Sequence, residues 1–195
     1  MTEYIAKKMT IWLLKGQFID KEDYELYYLG NEVIVSTGIT SFIILLIGLM
    51  LKNLFGAIIF LICFISIRNF SGGYHAKTRW GCLLTTVVSY ISSYYITELQ
   101  MKYANSILTG LLIAEVLISG LIFLRYAPIE NKNKKLLPDW RKKNRKWMLA
   151  VVIVWNILGI MILVTKANFA TQIFNTILII SILVLRARRE NYAEN

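Results

Sequence analysis

The chain has 195 residues, a length that would suit one soluble domain, but 56% of them are hydrophobic and only two are prolines. The charged residues lie in short intervals between apolar runs, whereas a soluble helical protein would spread them along one face of each helix. This composition excludes an ordinary soluble protein and predicts a single all-α, polytopic membrane domain over residues 1–195. The net charge of +10 at pH 7 is more typical of an orientation signal against anionic lipid than of a nucleic-acid patch.

The N-terminal region is predicted to lie at the membrane surface. Most of the segment Met1–Gly16 has the pattern of a weakly amphipathic helix with three lysines, and an ordinary flexible terminus is the alternative. Asp20 is expected to start the next helix, because its side chain can accept a bond from a free backbone amide. Residues 1–28 are therefore interpreted as interfacial N-terminal helices.

Six apolar segments are long enough, or nearly so, to cross a membrane. The second holds only 14 residues, which at about 1.5 Å each is shorter than the roughly 30 Å hydrocarbon core. Either its helix continues past Arg68 or the following loop dips into the bilayer. Only Lys52 and Asn53 separate the first two segments, so these should form a tight helical hairpin. The predicted spans are 33–51, 54–67, 82–96, 107–126, 147–164 and 169–185.

The basic residues predict how these spans are oriented. If the spans alternate, one side carries four Lys or Arg in the N-terminal region, three around residues 68–79, nine in the loop 127–146 with Arg125, and three after the last span. That side then holds 19 of the 22, and the other side holds only Lys52, Lys102 and Lys166. Short loops rich in Lys and Arg stay in the cytoplasm. Both termini and the basic loop 127–146 are therefore predicted to be cytoplasmic.

A polar segment with several glycines, residues 68–82, lies between the second and third spans. It reads Arg-Asn-Phe-Ser-Gly-Gly-Tyr-His-Ala-Lys-Thr-Arg-Trp-Gly-Cys and contains the single His of the chain and one of its two Cys. A Cys and a His in one short segment suggest nucleophilic catalysis, because the imidazole can accept the thiol proton and later return it to a leaving amine. One His and one Cys cannot complete a zinc site, so we predict neither a metal nor a cofactor.

The two cysteines have different surroundings in the sequence. Cys82 follows Lys77 and would lie in the first turn of a helix capped by Thr78, and both features favour a reactive thiolate. Cys63 lies among apolar residues that favour the neutral thiol, so it is expected to contribute only to packing. We interpret both as free thiols rather than as a disulfide.

The spacing of the two candidate catalytic residues constrains the backbone. His75 precedes Cys82 by seven residues, so on one continuous helix they would be about 10.5 Å apart along the axis, which is too far for proton transfer. The chain must therefore fold or break between them, and Gly72, Gly73 and Gly81 supply that freedom. Without the surrounding pattern, His75 would be interpreted as an interfacial histidine.

The remaining polar residues have open interpretations. Arg68 and Asn69 can donate to a substrate carboxylate or a developing oxyanion, or they can serve as a helix-end anchor and a cap. A hydroxyl stripe below Cys82, formed by Thr85, Ser89 and Ser92, more often allows close helix packing than it lines a wet cavity. Glu115 lies inside an apolar run, so it is a functional candidate unless it only hydrogen-bonds to that stripe.

The order Arg-Asn-x-x-Gly-Gly-x-His-x6-Cys beside membrane-like segments resembles the accessory gene regulator B (AgrB) family of membrane endopeptidases. The resemblance implies that His75 and Cys82 are the catalytic pair and that Arg68, Asn69, Gly72 and Gly73 form the flanking motif. It also implies an AgrD-like precursor peptide as partner and a multi-pass protein in the cell membrane of a Gram-positive-type bacterium.

Family members remove the acidic C-terminal tail of the precursor and promote its closure to a thiolactone or lactone for quorum sensing. Basic residues of the loop are therefore candidates for holding that tail, although topology alone would also explain them. A non-enzymatic peptide exporter or a membrane sensor component is the alternative function. The sequence leaves the peptide, its ring size and the oligomeric state open, including a homodimer. The tail-binding candidates are Lys132, Lys134, Lys135, Arg141, Lys142 and Lys143.

Overall fold

The computed structural model describes residues 2–72, 79–103, 106–129 and 138–193. Within these ranges the chain forms helices joined by short connections, and no strand occurs among them. The predicted all-α class is therefore confirmed. The helices are α1 (Thr2–Lys15), α2 (Tyr24–Met50), α3 (Leu54–Ser71), α4 (Arg79–Lys102), α5 (Ser106–Tyr126), α6 (Pro138–Leu163) and α7 (Ala167–Ala193), with a 3₁₀ turn at Lys21–Asp23.

Five of the described helices, α2, α3, α5, α6 and α7, are long and apolar enough to cross a membrane. Two described helices lie outside this group, the 14-residue α1 and α4, and the 24 residues of α4 span about 36 Å, enough for a bilayer crossing. It carries many Ser, Thr and Tyr residues, which lower its hydropathy. With α4 as the sixth, the structure is compatible with the prediction of about six transmembrane helices.

The N-terminal helix α1 packs along the beginning of α2. Asn31 Nδ2 donates a hydrogen bond to Thr10 Oγ1 over 3.0 Å, and both side chains are buried. The helical interpretation of this segment is thus confirmed, and its place at the membrane surface stays a prediction. The predicted capping by Asp20 is wrong in detail, because its side chain makes no capping bond before the 3₁₀ turn.

Helices α2 and α3 form the predicted tight hairpin. The connection is short, and Lys52 adopts a positive φ of 54° within it. Gly48 makes the close approach feasible, since a Cβ there would lie 2.5 Å from the Cβ of Ala57. No side chain larger than hydrogen fits at this crossing without a shift of one helix.

The core of the bundle is organised around α7. This helix packs against α3, α4, α5 and α6, and its Ile173, Ile177, Ile180 and Val184 are buried. In contrast, most of α2 faces outward. Apolar side chains that face outward are stable in lipid, whereas the buried face of α7 is held by packing between helices.

The basic loop predicted over residues 127–146 is shorter than expected. Helix α6 begins at Pro138, so residues 138–146 are helical rather than part of a loop. Proline is tolerated in the first turn of a helix, and Lys and Arg are good helix formers. Arg145 Nη2 donates a hydrogen bond to the carbonyl of Leu124 over 2.8 Å, which holds the basic start of α6 against the end of α5.

Candidate functional site

The motif begins on the last turns of α3. The helix continues through Arg68 and Asn69 to Ser71, so the first of the two sequence alternatives is confirmed. Arg68 lies in the last turn of the helix and is half-buried, whereas Asn69 is exposed. The interpretation of Asn69 as a helix cap is wrong, because Gly72 occupies the C-cap position.

Gly72 ends α3 in a conformation that only glycine adopts readily, with φ of 65° and ψ of −148°. It forms an isolated parallel bridge with Ile129, whose backbone N–H donates to the carbonyl of Ser71 over 3.0 Å. A Cβ at position 72 would collide with the carbonyl oxygen of Ile129. The motif is therefore attached to the segment that follows α5, a contact that the sequence did not predict.

Cys82 lies in the first described turn of α4, is half-buried and is a free thiol. Its predicted partner His75 lies outside the described residues, as do Gly73, Lys77 and the proposed cap Thr78. The prediction that the chain breaks between His75 and Cys82 falls on the same segment and stays a prediction. Of the two candidate catalytic residues, the structure therefore describes only Cys82, the candidate nucleophile, in the first described turn of α4.

Arg68 is brought close to Cys82 by the packing of α3 and α4. The guanidinium and the sulfur are near enough to interact electrostatically. The guanidinium also lies over the ring of Phe64, with its central carbon 5.4 Å from the ring centroid, a cation–π arrangement that fixes the direction of the side chain. A positive charge on α3 thus lies within Coulomb range of the thiol on α4.

Cys63 is fully buried in the core of the bundle and is also a free thiol. Phe60 and Phe64, which lie about one turn apart on the same helix, are buried as well and stack with 5.2 Å between ring centroids. The predicted packing role agrees with this placement. Between the two thiols, only Cys82 is open to a substrate.

The end of the bundle that carries the motif also gathers cations and aromatic rings. The guanidinium carbon of Arg188 lies 4.0 Å from the centroid of the Tyr126 ring, and that of Arg125 lies 5.8 Å from it. Phe70 stacks on Trp147 at 6.4 Å. Sequence reasoning missed this grouping because its members belong to four helices that are distant along the chain.

The predicted tail-binding residues divide into two groups. Arg141, Lys142 and Lys143 are exposed on the first turns of α6. Lys132, Lys134 and Lys135 lie outside the described residues. The bridge at Ile129 holds the beginning of this basic region beside the motif, and α6 holds its end against α5.

The hydroxyl stripe of α4 is displaced from its predicted positions. Thr86, Ser89, Ser93 and Thr97 are buried, whereas Thr85 and Ser92 are only half-buried. Ser93 Oγ lies 3.3 Å from the hydroxyl of a threonine on α7, so this buried face of α4, which shares only Ser89 with the predicted stripe, packs against α7.

Glu115 does not hydrogen-bond to this stripe. Its Oε1 accepts a hydrogen bond from Nε2 of Gln100, near the other end of α4. The simpler alternative from the sequence, a bond to Thr85, Ser89 or Ser92, is therefore wrong. Gln100 lies about five turns beyond Cys82 on the same helix, so Glu115 belongs to a separate part of the bundle.

The family model of accessory gene regulator B matches residues 2–185. The chain belongs to this family. Membership supports a role in processing a quorum-sensing autoinducer and a functional link to an AgrD precursor. Together with the apolar helices, it supports a multi-pass bacterial membrane protein.

Several relatives agree with this assignment. A protein described as AgrB-like from Clostridium perfringens strain SM101 is 22% identical over 188 residues, which cover 94% of this chain and 87% of the relative. The accessory gene regulator protein B of Staphylococcus intermedius is 26% identical over 78% of this chain and 77% of its own length. Protein FsrB of Enterococcus faecalis is 30% identical over 60% of this chain and 49% of its own. No solved structure matches the chain.

Proposed function

We propose that this family member is a membrane cysteine endopeptidase. It would cleave the acidic C-terminal tail from a short AgrD-like precursor and promote closure of the remaining peptide to a thiolactone or lactone. The observation that carries the proposal is the position of Cys82, a free and half-buried thiol at the described start of α4, with the Arg68 guanidinium close enough for a Coulomb interaction. A guanidinium at this place would stabilise the negative charge of an attacking sulfur.

The chemistry would proceed in two acyl transfers. Cys82 Sγ attacks the scissile carbonyl carbon, His75 accepts the thiol proton, and the same proton is then donated to the leaving amine of the tail. The C–N bond breaks and a thioester with Cys82 remains. The thiol of the precursor then attacks this thioester, closes the ring and releases Cys82, with its own proton passing through His75.

The second transfer requires that water be kept away from the thioester. Exchange of one thioester for another is close to balanced in free energy, whereas hydrolysis is strongly downhill, so the internal thiol must be held close. Cys82 lies on a helix of the membrane bundle rather than on a solvent-exposed loop. That placement supports the proposal, because it limits access of water to the reacting atoms.

Residues flanking the thiol would stabilise the developing oxyanion. The Arg68 side chain lies on the Cys82 side of α3, and the exposed Asn69 follows it in the chain. The backbone amides of Gly72 and Gly73 would be further donors. Donors that point to the developing charge contribute a large share of the rate enhancement in acyl transfer.

The acidic tail of the precursor would bind the basic region between α5 and α6. The segment starts at the bridge between Ile129 and the motif and ends on α6, where Arg141, Lys142 and Lys143 are exposed. Lys132, Lys134 and Lys135 complete the proposed tail-binding set. A tail held here would place the peptide bond before it beside Cys82.

The proposed orientation has both termini and this basic region in the cytoplasm, with the positions of Lys102 and Lys166 outside. Single cysteines introduced as Lys135→Cys, Glu194→Cys, Lys102→Cys and Lys166→Cys, in a background without Cys63 and Cys82, should report it. We expect the first two to react with a membrane-impermeant maleimide only after the cells are opened, and the last two to react in intact cells. Labelling of position 135 in intact cells would contradict this topology.

The function itself is tested with purified protein in lipid and a candidate precursor whose internal Cys is replaced by Ala. Cleavage should still occur, but the ring-closing group is absent. We expect intact-protein mass spectrometry to detect an acyl-enzyme on Cys82 that decays slowly by hydrolysis to a linear peptide. The unaltered precursor should give the cyclic product and no accumulated adduct. If the tail is removed and no adduct on Cys82 is detected at any time point, the covalent mechanism is wrong.

A further inference from the structure

A buried polar cluster lies between α4, α5 and α7, apart from the proposed active site. Asn175 Nδ2 donates hydrogen bonds to Gln100 Oε1 over 2.7 Å and to Thr97 Oγ1 over 3.0 Å. Gln100 Nε2 in turn donates to Glu115 Oε1. Three helices of the bundle thus contribute oxygen-bearing side chains to one continuous network.

Two oxygen atoms of this cluster have no hydrogen-bond donor. Glu115 Oε2 and Asn175 Oδ1 are both buried and unpartnered in the structure, with Glu115 only 8% exposed and Asn175 fully buried. Rotating the Asn175 amide would not help, because its Nδ2 already makes two hydrogen bonds that would be lost. A buried acceptor without a donor costs free energy of folding. The cluster has two such oxygens, and neither has a cation or a hydrogen-bond donor as partner.

The charge of the cluster is also unbalanced. Glu115 is the single charged residue in α5 before Arg125, and α7 carries none before Arg186. In the part of the chain that the structure describes, no ion pair involves Glu115. A carboxyl group in the middle of a membrane bundle is neutralised either by a compensating cation or by a proton.

We propose that this cluster is a binding site for one monovalent metal cation of the Na⁺ class. Hard cations take oxygen ligands, and the cluster offers one carboxylate oxygen and one amide carbonyl oxygen that accept no hydrogen bond. The ligands would be Glu115 Oε2 and Asn175 Oδ1, since Gln100 Oε1 and Thr97 Oγ1 already accept hydrogen bonds from Asn175 Nδ2. A single positive charge neutralises Glu115, whereas a divalent ion would leave one charge uncompensated in the membrane interior.

The site is independent of the proposed peptidase chemistry, so its test uses stability and binding rather than activity. A cation that binds only the folded protein stabilises it by mass action. Purified protein should therefore unfold at a higher temperature in NaCl than in choline chloride of equal ionic strength and pH, and the rise should saturate with Na⁺ concentration. Glu115→Gln keeps the side-chain volume but removes the charge, so the Na⁺-dependent rise should disappear.

Glu98→Gln is the matched control, since Glu98 is an exposed acid on α4 and its replacement should leave the Na⁺-dependent rise intact. If Glu115→Gln does not fold, the binding of radioactive sodium to the unsubstituted protein is measured instead. Binding that saturates and is displaced by unlabelled Na⁺ would support the proposal. Equal unfolding temperatures in the two salts, an unchanged rise in Glu115→Gln, larger stabilisation by Mg²⁺ through Glu115, or absence of saturable sodium binding would each overturn the proposal.

Discussion

Replacing Cys82 by Ala is expected to reduce cleavage of the precursor to the uncatalysed background. Loss of the nucleophile in a serine protease lowers kcat by on the order of 10⁶, and Cys82 is the proposed nucleophile here. Binding should persist, because the basic region and the outer faces of the bundle are unchanged. Cleavage is measured by mass spectrometry of the peptide, and binding by co-purification of the intact precursor with the protein.

Cys63→Ala is the matched control for this experiment. Cys63 lies in the packed core, so its loss should leave a small cavity that costs about 1 kcal/mol of stability while cleavage continues. His75→Ala should behave like Cys82→Ala, since the amine leaves poorly without a proton donor. Normal tail removal by the Cys82→Ala protein would end the peptidase proposal and favour the exporter or sensor component.

Gly72→Ala is expected to lower the cleavage rate about 100-fold, the effect of displacing reacting groups by around 1 Å. Alanine at this position meets two obstacles, the backbone conformation with φ of 65° and the carbonyl of Ile129 in the path of its Cβ. The strained conformation alone costs roughly 1–3 kcal/mol. The bridge to Ile129 should therefore open, and the motif should move relative to Cys82. Initial rates and thermal unfolding measure the two effects.

Gly110→Ala provides the comparison, because a Cβ at position 110 meets nothing within 4 Å and the residue lies in helix α5. Alanine is favoured over glycine in helices by about 1 kcal/mol, so this variant should be at least as stable and fully active. An active Gly72→Ala protein with an intact unfolding temperature would show that the bridge does not position the motif.

Much of the fold could be predicted from hydropathy. Apolar runs in a membrane protein have few alternatives to helices, so the spans and the α2–α3 hairpin were recognisable. The helical start of α6 was missed because its charged residues resembled a polar loop, although Lys and Arg are good helix formers. Of the three hydroxyl residues predicted to share one face of α4, only Ser89 is buried, because neighbouring residues on a helix differ by about 100° in direction.

The candidate site was predictable only in part. The residues next to each cysteine in the sequence were enough to predict which thiol is the candidate nucleophile, because Cys63 has apolar neighbours and Cys82 has basic ones. The contact of Gly72 with Ile129 left no such signal, since it joins residues that are distant along the chain through backbone atoms. Glu115 was recognised as unusual, but its partner Gln100 could not be chosen without knowing how α4 and α5 cross.

The central position of α7 has a consequence for biogenesis. This helix contacts four of the other six helices, yet it follows all of them in the chain. During synthesis the N-terminal helices emerge first, and they would insert into the bilayer before the helix that their buried faces require. The half-made protein is then a loose set of spans whose polar faces on α4 and α5 lack their main partner. Quality-control proteases of the membrane would therefore have their best access in the interval before α7 arrives, and translation speed over the last third of the message should influence yield.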